Sequence, residues 1–488
     1  MAPPTVSLSF PHGGKSSFSG GLFINNEFVA AGDGKTFAVV NPSDGKEIAQ
    51  VAEASAKDVD VAVKAARKAF NESWGLNVPG FKRGQLLIKL AELIEANLEE
   101  IAAIESLDNG KAFSIAKGFD ITEVAANIRY YAGWADKNHG KVIEVDSSKL
   151  HIQRQEPMGV CGQIIPWNFP AFVSFLSASF FRIHLLTCPS LQSHVCLEDR
   201  TGPRHGQHHR PQDGRADAPV GSQDVRVIKE AGFPPGVVNV ISGFGPVAGA
   251  AIANHMDIDK VAFTGSTLVG RNILKAAASS NLKKVTLELG GKSPNIIFAD
   301  ADLDQAISWS AFGIMFNHGQ CCCAGSRVYV EESIYEKFMA KFDEKIKSIQ
   351  VGNPFEGNTF QGPRSRSSST TGSWPTSTRA RRRAPRPHGR HSPRSGRLLH
   401  RAHRLHRRQP RLQNWPRGDL RPRRCCAQVQ GQRRPHQEGQ RLCYGLAAAV
   451  FSRDVTRALD TANKLQAGTV WVNCYNRMCP FLWSRDNR

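Results

Sequence analysis

The chain has 488 residues, 41% of them hydrophobic, which is enough to bury a large core in two or three domains. Its formal net charge of +20 resides in residues 363–442, which hold 22 Arg, no Lys and only two acids, so the rest of the chain is close to neutral. No run is apolar enough to span a membrane, and eleven cysteines without a C-x-x-C pair exclude a disulfide framework and a zinc site of that spacing.

Residues 1–20 are rich in Pro, Gly and Ser, which predicts a flexible arm. The stretch lacks the charged start and apolar core of a secretory signal, and it is too poor in basic residues for a mitochondrial presequence. The cysteine pattern favours a reducing compartment. We therefore expect a cytoplasmic protein.

Residues 21–50 have a strand-like pattern with turns at Asn, Asp and Gly clusters. Ser55 then precedes a helical pattern at Lys57–Phe70, and two further helices are predicted at Gly84–Glu105 and Ile121–Ala135. These helices are expected to pack on a sheet.

A predicted strand, Gly159–Ile165, ends in the rigid loop Pro-Trp-Asn-Phe-Pro, which contains Asn168. Taken alone, an asparagine at a strand end is most often a turn former. A second strand, Val261–Phe263, leads into a G-S-T-x-x-G turn and a helix at Val269–Ser279. Such a turn can accept a pyrophosphate, although many strand-to-helix turns have this pattern.

Glu288 lies in an apolar strand, and Cys322 follows it by 34 residues as the middle of three consecutive cysteines in a glycine-rich turn. A thiol in such a turn suits a nucleophile, and a carboxyl in apolar surroundings suits a general base. Buried cysteines that act as small hydrophobes explain the pattern about as well.

The blocks LELGGKSPNIIFADAD and FNHGQCCCAGSRVYV resemble the two signature blocks of the aldehyde dehydrogenase superfamily. The resemblance implies oxidation of an aldehyde to a carboxylic acid with NAD, or alternatively NADP, through a cysteine thioester and without a metal. It assigns Cys322 as nucleophile, Glu288 as general base and Asn168 as the amide that faces the substrate oxygen. The implied cofactor contacts are Ile165, Trp167, Gly265, Ser266, Gly270 and Leu289.

The implied fold is α/β, with a Rossmann-like parallel-sheet dinucleotide domain and an α/β catalytic domain. We place the dinucleotide domain at 21–285, with an oligomerisation arm at 141–157. The catalytic domain would occupy 286–362 and resume at 443–488, where the family's next block and tail strand are missing. The family forms homo-oligomers, so the missing strand puts oligomerisation in doubt.

Two segments, 181–225 and 364–442, depart from the family pattern and show no sustained helical or strand period. Reading their codons in a displaced frame permits family-like sequence, which suggests a shifted reading frame. Residues 172–196 would then be retained intron or an insertion. Two blocks through which the family contacts the cofactor, Lys-x-x-Glu and E-I-F-G-P, occur in these segments only in the displaced frame. We therefore expect weak NAD binding.

Two alternatives to an active enzyme remain open at this stage. The chain could be an inactive product of a faulty gene model. The Arg-rich segment 364–442 could instead bind nucleic acid by neutralising phosphates, although it has few aromatic residues for stacking on bases.

Overall fold

The computed structural model describes residues 2–173, 194–199, 219–363, 426–429 and 444–477. These residues form two compact units. Unit 1 comprises the described residues up to Gly290 together with 352–363, and unit 2 comprises Gly291–Val351 with 426–429 and 444–477. No helix within the described ranges is long and apolar enough to cross a membrane.

Both units alternate strands with helices, as the α/β prediction requires. The strands are β1 Thr5–Ser9, β2 Lys15–Ser19, β3 Leu22–Ile24, β4 Glu27–Val29, β5 Thr36–Val40, β6 Glu47–Ala52, β7 Lys141–Asp146, β8 Lys149–Gln153, β9 Cys161–Pro166, β10 His194–Asp199, β11 Val238–Ser242, β12 Lys260–Gly265, β13 Lys284–Leu289, β14 Pro294–Ile297, β15 Arg327–Glu331, β16 Cys426–Val429, β17 Ala447–Phe451 and β18 Thr469–Val472. The α-helices are α1 Ala56–Glu72, α2 Gly80–Ala96, α3 Leu98–Asn109, α4 Phe113–Ile115, α5 Thr122–Ala132, α6 Pro219–Ala231, α7 Ala250–Asn254, α8 Thr267–Ser279, α9 Leu303–Met315, α10 Tyr335–Lys347 and α11 Val455–Lys464.

Unit 1 is built on a seven-stranded sheet with the order β13-β12-β9-β10-β11-β3-β4. The first five of these strands are parallel, and β3 and β4 extend the sheet in antiparallel fashion. The chain runs outward from β9 in one direction and then returns to add β12 and β13 on the other side. The strand order therefore reverses between β9 and β12, and ligands bind at the carboxyl ends of the strands at such a switch point.

Strand β10 corrects the sequence-based expectation for the segment 181–225. That segment was predicted to lack a helical or strand period, yet His194–Asp199 pairs in parallel with both β9 and β11 at the centre of the sheet, and residues 219–225 lie in α6. The apolar run Val-Cys-Leu in this strand is only three residues long, which is too short to show a period.

Unit 2 is built on a five-stranded parallel sheet with the order β16-β15-β14-β17-β18. Strand β16 lies within the segment 364–442, for which no regular structure was expected, so that expectation is also corrected at Cys426–Val429. The apolar runs at 444–451 and 469–472 predict strands, and β17 and β18 lie within them. The buried apolar side chains of this sheet pack against α11. The resulting core includes the strand residues Ile296, Ala448 and Val450.

The helices agree with the predicted periods except at one boundary. Ser55 precedes α1, and its backbone N–H donates to Asp58 Oδ2 at 2.8 Å, which is half of a capping box. The single helix predicted at Gly84–Glu105 is instead two helices, α2 and α3, because Asn97 leaves helical geometry and its side-chain amide donates to Leu93 O at 2.8 Å. The break ends α2 and starts α3 in a new direction.

The region predicted to be a flexible arm, residues 1–20, contains an ordered antiparallel hairpin of β1 and β2. Alternate residues of the hairpin are buried, among them Val6, Leu8 and Phe18. Alternation of this kind gives a strand one buried face, which the Pro, Gly and Ser content of the stretch concealed.

Candidate active site

Three strands of unit 1 bring predicted site residues to the carboxyl-end edge of the seven-stranded sheet. Strand β9 contains Ile165 and is followed by Trp167 and Asn168, and strand β12 ends at Gly265. Strand β13 pairs with β12 so that Gly265 faces Leu289. These residues therefore lie at the carboxyl ends of neighbouring strands, beside the switch point of the sheet.

The turn from β12 into α8 has the shape that a phosphate group requires. Ser266 is the N-cap of α8, and its Oγ accepts the backbone N–H of Val269 at 3.3 Å. A Cβ on Gly265 would lie 2.5 Å from the Phe263 ring, and a Cβ on Gly270 would lie 3.0 Å from Leu289 Cδ2. The Cβ position of each glycine is therefore already filled by a neighbouring side chain, so a larger residue has no room at either place. The first N–H groups of this 13-residue helix favour an anion, which is the chemistry that a pyrophosphate requires.

Glu288 lies in β13 directly opposite Thr264 of β12. Strand β13 is at the edge of the described sheet, and Glu288 is half-buried. The apolar sequence around it predicted a more enclosed carboxyl. The observed partial exposure leaves the carboxylate reachable by a water molecule, which a general base needs.

The cysteine turn in unit 2 follows three consecutive residues in the left-handed region of backbone space. Their φ angles are 46° at Asn317, 60° at His318 and 70° at Gly319. Left-handed geometry at two non-glycine residues is costly and persists where the surrounding structure enforces it. Further along the turn, the Gly291 N–H donates to Cys322 O at 2.9 Å. The backbone of Cys322 is thus held by the segment that begins three residues after Glu288 in the sequence.

The three thiols are close together, with every pair of sulfur atoms within 4.8 Å. The sulfur atoms of Cys321 and Cys323 are 3.5 Å apart, and Cys323 Sγ donates to Asn476 Oδ1 at 3.3 Å. Hydrogen bonding to Cys321 and burial raise the pKa of the Cys322 thiol. A raised pKa means that Cys322 needs a base to become a thiolate. Such thiol spacing also suits a thiophilic metal ion.

The loop that carries Asn168 is held by residues that the sequence analysis overlooked. Asn109 at the end of α3 donates from Nδ2 to Trp167 O at 2.8 Å, and Glu105 and Lys111 also contact the loop. The available signal was the sequence ESLDNGK, in which charged residues interrupt the last turn of an otherwise apolar helix. Charged residues are almost never fully buried unless they are paired, so their presence there indicated a buried ion pair.

Asp120 gives this buried cluster a dependence on pH. Burial raises the pKa of Asp120 to about 7, with Lys111 opposing the shift and Glu105 adding to it. In the unfolded chain the pKa is about 4, so between about pH 4 and 7 only the folded state retains the proton. The stability contributed by Asp120 is therefore highest at low pH and falls as pH rises to about 7.

The variant Asp120→Asn removes this titration, because an amide does not ionise. We expect the unfolding free energy of the wild type minus that of the variant to decrease as pH rises from about 4 to about 7 and to be constant above that. Urea unfolding at several pH values measures this difference. A difference that is constant across the range would contradict the assignment.

Comparison with known proteins identifies the chemistry. A family model described as "Aldehyde dehydrogenase family" matches residues 28–180, 218–378 and 440–481. An aldehyde dehydrogenase of Davidiella tassiana is 48% identical over 97% of this chain and 91% of its own length. The mitochondrial aldehyde dehydrogenase of Homo sapiens is 42% identical over 97% of this chain and 88% of its own length.

Solved structures agree with these relatives. The NAD⁺ complex of an aldehyde dehydrogenase from Bacillus cereus is similar with a TM-score of 0.78 and 36% identity, covering 94% of this chain and 89% of that one. The two gaps in the family match, 181–217 and 379–439, fall inside the segments that the sequence analysis set apart. No comparison supports the nucleic-acid alternative, since every relative named here is an aldehyde dehydrogenase.

Proposed function

The chain belongs to the aldehyde dehydrogenase family, and from this premise we propose that Cys322, Glu288 and Asn168 carry out its reaction. Members are NAD(P)-dependent oxidoreductases, and the chain is an oxidoreductase that converts an aldehyde to a carboxylic acid with NAD. The observation that carries the proposed roles is the position of Glu288 and Asn168 at the carboxyl ends of β13 and β9, the two strands that flank β12.

The first step is attack on the aldehyde. Cys322 Sγ, after giving its proton to a water molecule, forms a bond to the carbonyl carbon, and the carbonyl electron pair moves to the oxygen. The Asn168 amide and the Cys322 backbone N–H donate to that oxyanion. A bound NAD would supply the hydride acceptor that this carbon needs. Cys322 is then acylated as a thioester.

The second step is hydrolysis of the thioester. Glu288 accepts a proton from water, the water oxygen bonds to the acyl carbon, and the C–S bond breaks to release the carboxylic acid and free Cys322. The partial exposure of Glu288 suits this role, because the base has to meet water from solvent. The reaction assigns no task to a metal ion or to the thiols of Cys321 and Cys323.

We propose that unit 1 is the dinucleotide-binding domain and that Gly265, Ser266 and Gly270 hold the pyrophosphate, with Leu289 packed beneath Gly270. Ile165 and Trp167 would line the nicotinamide side of the cofactor, at the end of β9. NAD⁺-dependent oxidation of short aldehydes by the purified chain tests the assignment as a whole. An absence of reduced cofactor at saturating NAD⁺ and aldehyde would refute it.

The affinity for NAD⁺ is expected to be weaker than micromolar. The printed sequence lacks the family's Lys-x-x-Glu and E-I-F-G-P blocks, so the pyrophosphate turn carries most of the binding. Isothermal calorimetry with NAD⁺ measures the dissociation constant, and Ser266→Ala is a suitable comparison because it removes the N-cap oxygen. A micromolar constant for the wild type would show that other residues replace the missing blocks.

Replacing Asn168 with alanine is expected to lower kcat by about 10²- to 10³-fold, because one oxyanion donor contributes roughly 3 kcal/mol to transition-state stabilisation. The contacts that Trp167, Phe169 and Ala171 make with Asn109, Lys111 and Glu105 remain in the variant. Steady-state kinetics measures the loss. A variant with wild-type kcat would remove Asn168 from the mechanism.

We also propose that the β7–β8 hairpin joins copies of the chain. Apolar side chains of the hairpin are exposed, with Val142 at 72% and Leu150 at 73%, and an exposed apolar ribbon is typical of an interface. Sedimentation analysis of wild type and Val142→Lys tests this. A wild-type monomer would contradict it.

We further propose a cytoplasmic location. Five cysteines are free thiols, as a thiol enzyme in a reducing compartment requires: Cys161, Cys321, Cys322, Cys323 and Cys474. One relative is described as mitochondrial, so imaging of a fluorescent fusion has to separate the two compartments. Mitochondrial fluorescence would overturn the proposal.

A further inference from the structure

Three residues at the end of α3 contact the loop on both sides of Asn168. Asn109 Nδ2 donates to the carbonyl oxygen of Trp167, one residue before Asn168, at 2.8 Å. Lys111 Nζ lies 4.3 Å from the ring centroid of Phe169, one residue after it. Glu105 Oε2 accepts the backbone N–H of Ala171 at 3.2 Å. The contacts therefore reach the residues immediately before and after Asn168.

The contacting residues are themselves locked by burial and charge. Lys111 is 1% exposed and forms ion pairs with Glu105, at 2.8 Å, and with Asp120, and both carboxyl groups are fully buried. Glu105 therefore joins Lys111 through Oε1 and the loop through Oε2. A buried charge that is paired in this way cannot move without losing its partner, so the cluster resists displacement.

The chain path makes the arrangement possible. Gly110 ends α3 with φ 80°, a left-handed conformation that lets the chain turn so that Lys111 pairs with Glu105 of the preceding helix. A Cβ on Gly110 would lie 2.4 Å from Pro363 O, so a side chain has no space there. The next residues form a π-helical turn, Ala116–Ile121, which brings in Asp120 from the other side.

We propose that Glu105, Asn109 and Lys111 are positioning residues that hold the Trp167–Ala171 loop, and with it the Asn168 amide, in the orientation that the oxyanion needs. The proposal rests on the function proposed above for Asn168. The cluster does not touch the substrate, and it acts by restricting the loop. Displacing a reacting group by about 1 Å costs about 10²-fold in rate, so a loss of this restraint should be visible in kcat.

A double-mutant cycle tests the proposal with the full-length protein. The variants are Asn109→Ala, Asn168→Ala and the pair, with kcat and KM measured for aldehyde oxidation. Hydrolysis of p-nitrophenyl acetate, an activated ester, serves as a second readout, because it uses the thiol and the oxyanion donors without a cofactor. Asn97→Ala is the matched control, since its amide donates to Leu93 O at the opposite end of α3.

We expect Asn109→Ala to lower kcat about 10- to 100-fold in the wild-type background, with KM changed less than about threefold, and to have little further effect when Asn168 is already alanine. Asn97→Ala should retain wild-type kcat. A purely structural role would lower thermal stability without this coupling. Equal losses in both backgrounds, or no loss in either, would overturn the inference.

A second variant covers the case in which Asn109→Ala fails to fold. Glu105→Gln keeps the size of the side chain but places an amide N–H against either Lys111 or the Ala171 N–H. It should show the same coupling to Asn168, whereas Glu99→Gln, which removes an exposed carboxylate of the same helix, should not. Wild-type kcat in Glu105→Gln would overturn the inference. If Asn168→Ala leaves kcat unchanged, both the proposed function of Asn168 and the positioning inference fail. If Asn168→Ala lowers kcat but the variants of Glu105 and Asn109 do not, only the positioning inference fails.

Discussion

Replacing Cys322 with serine is expected to abolish aldehyde oxidation, lowering kcat by about 10⁴-fold or more. A serine hydroxyl is a far weaker nucleophile than a thiolate at neutral pH, and no thioester can form on it. The backbone should be unchanged, because Cys322 is held through its carbonyl by the Gly291 N–H. Steady-state kinetics and labelling with iodoacetamide, located by mass spectrometry, measure the two consequences.

Cys321→Ser is the matched control, since Cys321 lies in the same turn and within 4.8 Å of the same sulfur atoms. It should keep activity within a few-fold of the wild type. Turnover that persists in Cys322→Ser but disappears in Cys321→Ser would move the nucleophile to Cys321. Turnover that persists in both would remove the thiol mechanism.

Replacing Glu288 with glutamine is expected to separate the two steps of the reaction. Acylation of Cys322 should still occur, while hydrolysis of the thioester should slow by about 10²- to 10⁴-fold, because the amide cannot accept a proton from water. The first turnover would then appear as a burst of reduced cofactor followed by a slow steady state. Mass spectrometry of the intact protein should show the acyl group on Cys322.

Glu47→Gln is a suitable control, because Glu47 is an exposed glutamate at the start of a strand in unit 1. It should behave as the wild type in both phases. A Glu288→Gln variant that loses the burst as well as the steady state would place Glu288 in the first step, as the base that deprotonates Cys322. Unchanged kinetics would exclude Glu288 from the mechanism.

The raised pKa of Cys322 affects how these results will vary with pH. Its neighbour Cys321 and burial both favour the protonated thiol, so the ligand-free chain holds little thiolate at neutral pH. Activity should therefore rise with pH until another group becomes limiting.

Local features were readily predicted from the sequence because they depend on neighbouring residues. The hairpin at Asn25 and Asn26, whose φ angles are both positive, follows from the tolerance of asparagine for left-handed geometry. Ser55 predicts the capped start of α1. Short apolar runs predict the strands β17 and β18. The motifs around Glu288 and Cys322 are short enough to be recognised without knowing any tertiary contact.

The break between α2 and α3 and the strands β10 and β16 were missed for two different reasons. A helix end at Asn97 depends on one side-chain hydrogen bond, which a 3.6-residue period does not contain. Strands β10 and β16 are specified by neighbouring strands that supply backbone partners over their length. These partner strands come from distant parts of the chain, so the local sequence pattern does not predict β10 or β16.

By itself, the sequence determined the family, the α/β class and the identity of Cys322, Glu288 and Asn168 as candidates, since each depends on residues close together in the chain. Only the tertiary structure decided that β9 and β12 meet at a switch point, and that Glu105, Lys111 and Asp120 share one buried cluster beside the Asn168 loop. Sheet order and burial arise from contacts between residues far apart in sequence. A buried charge in particular is stable only through partners that the fold brings to it.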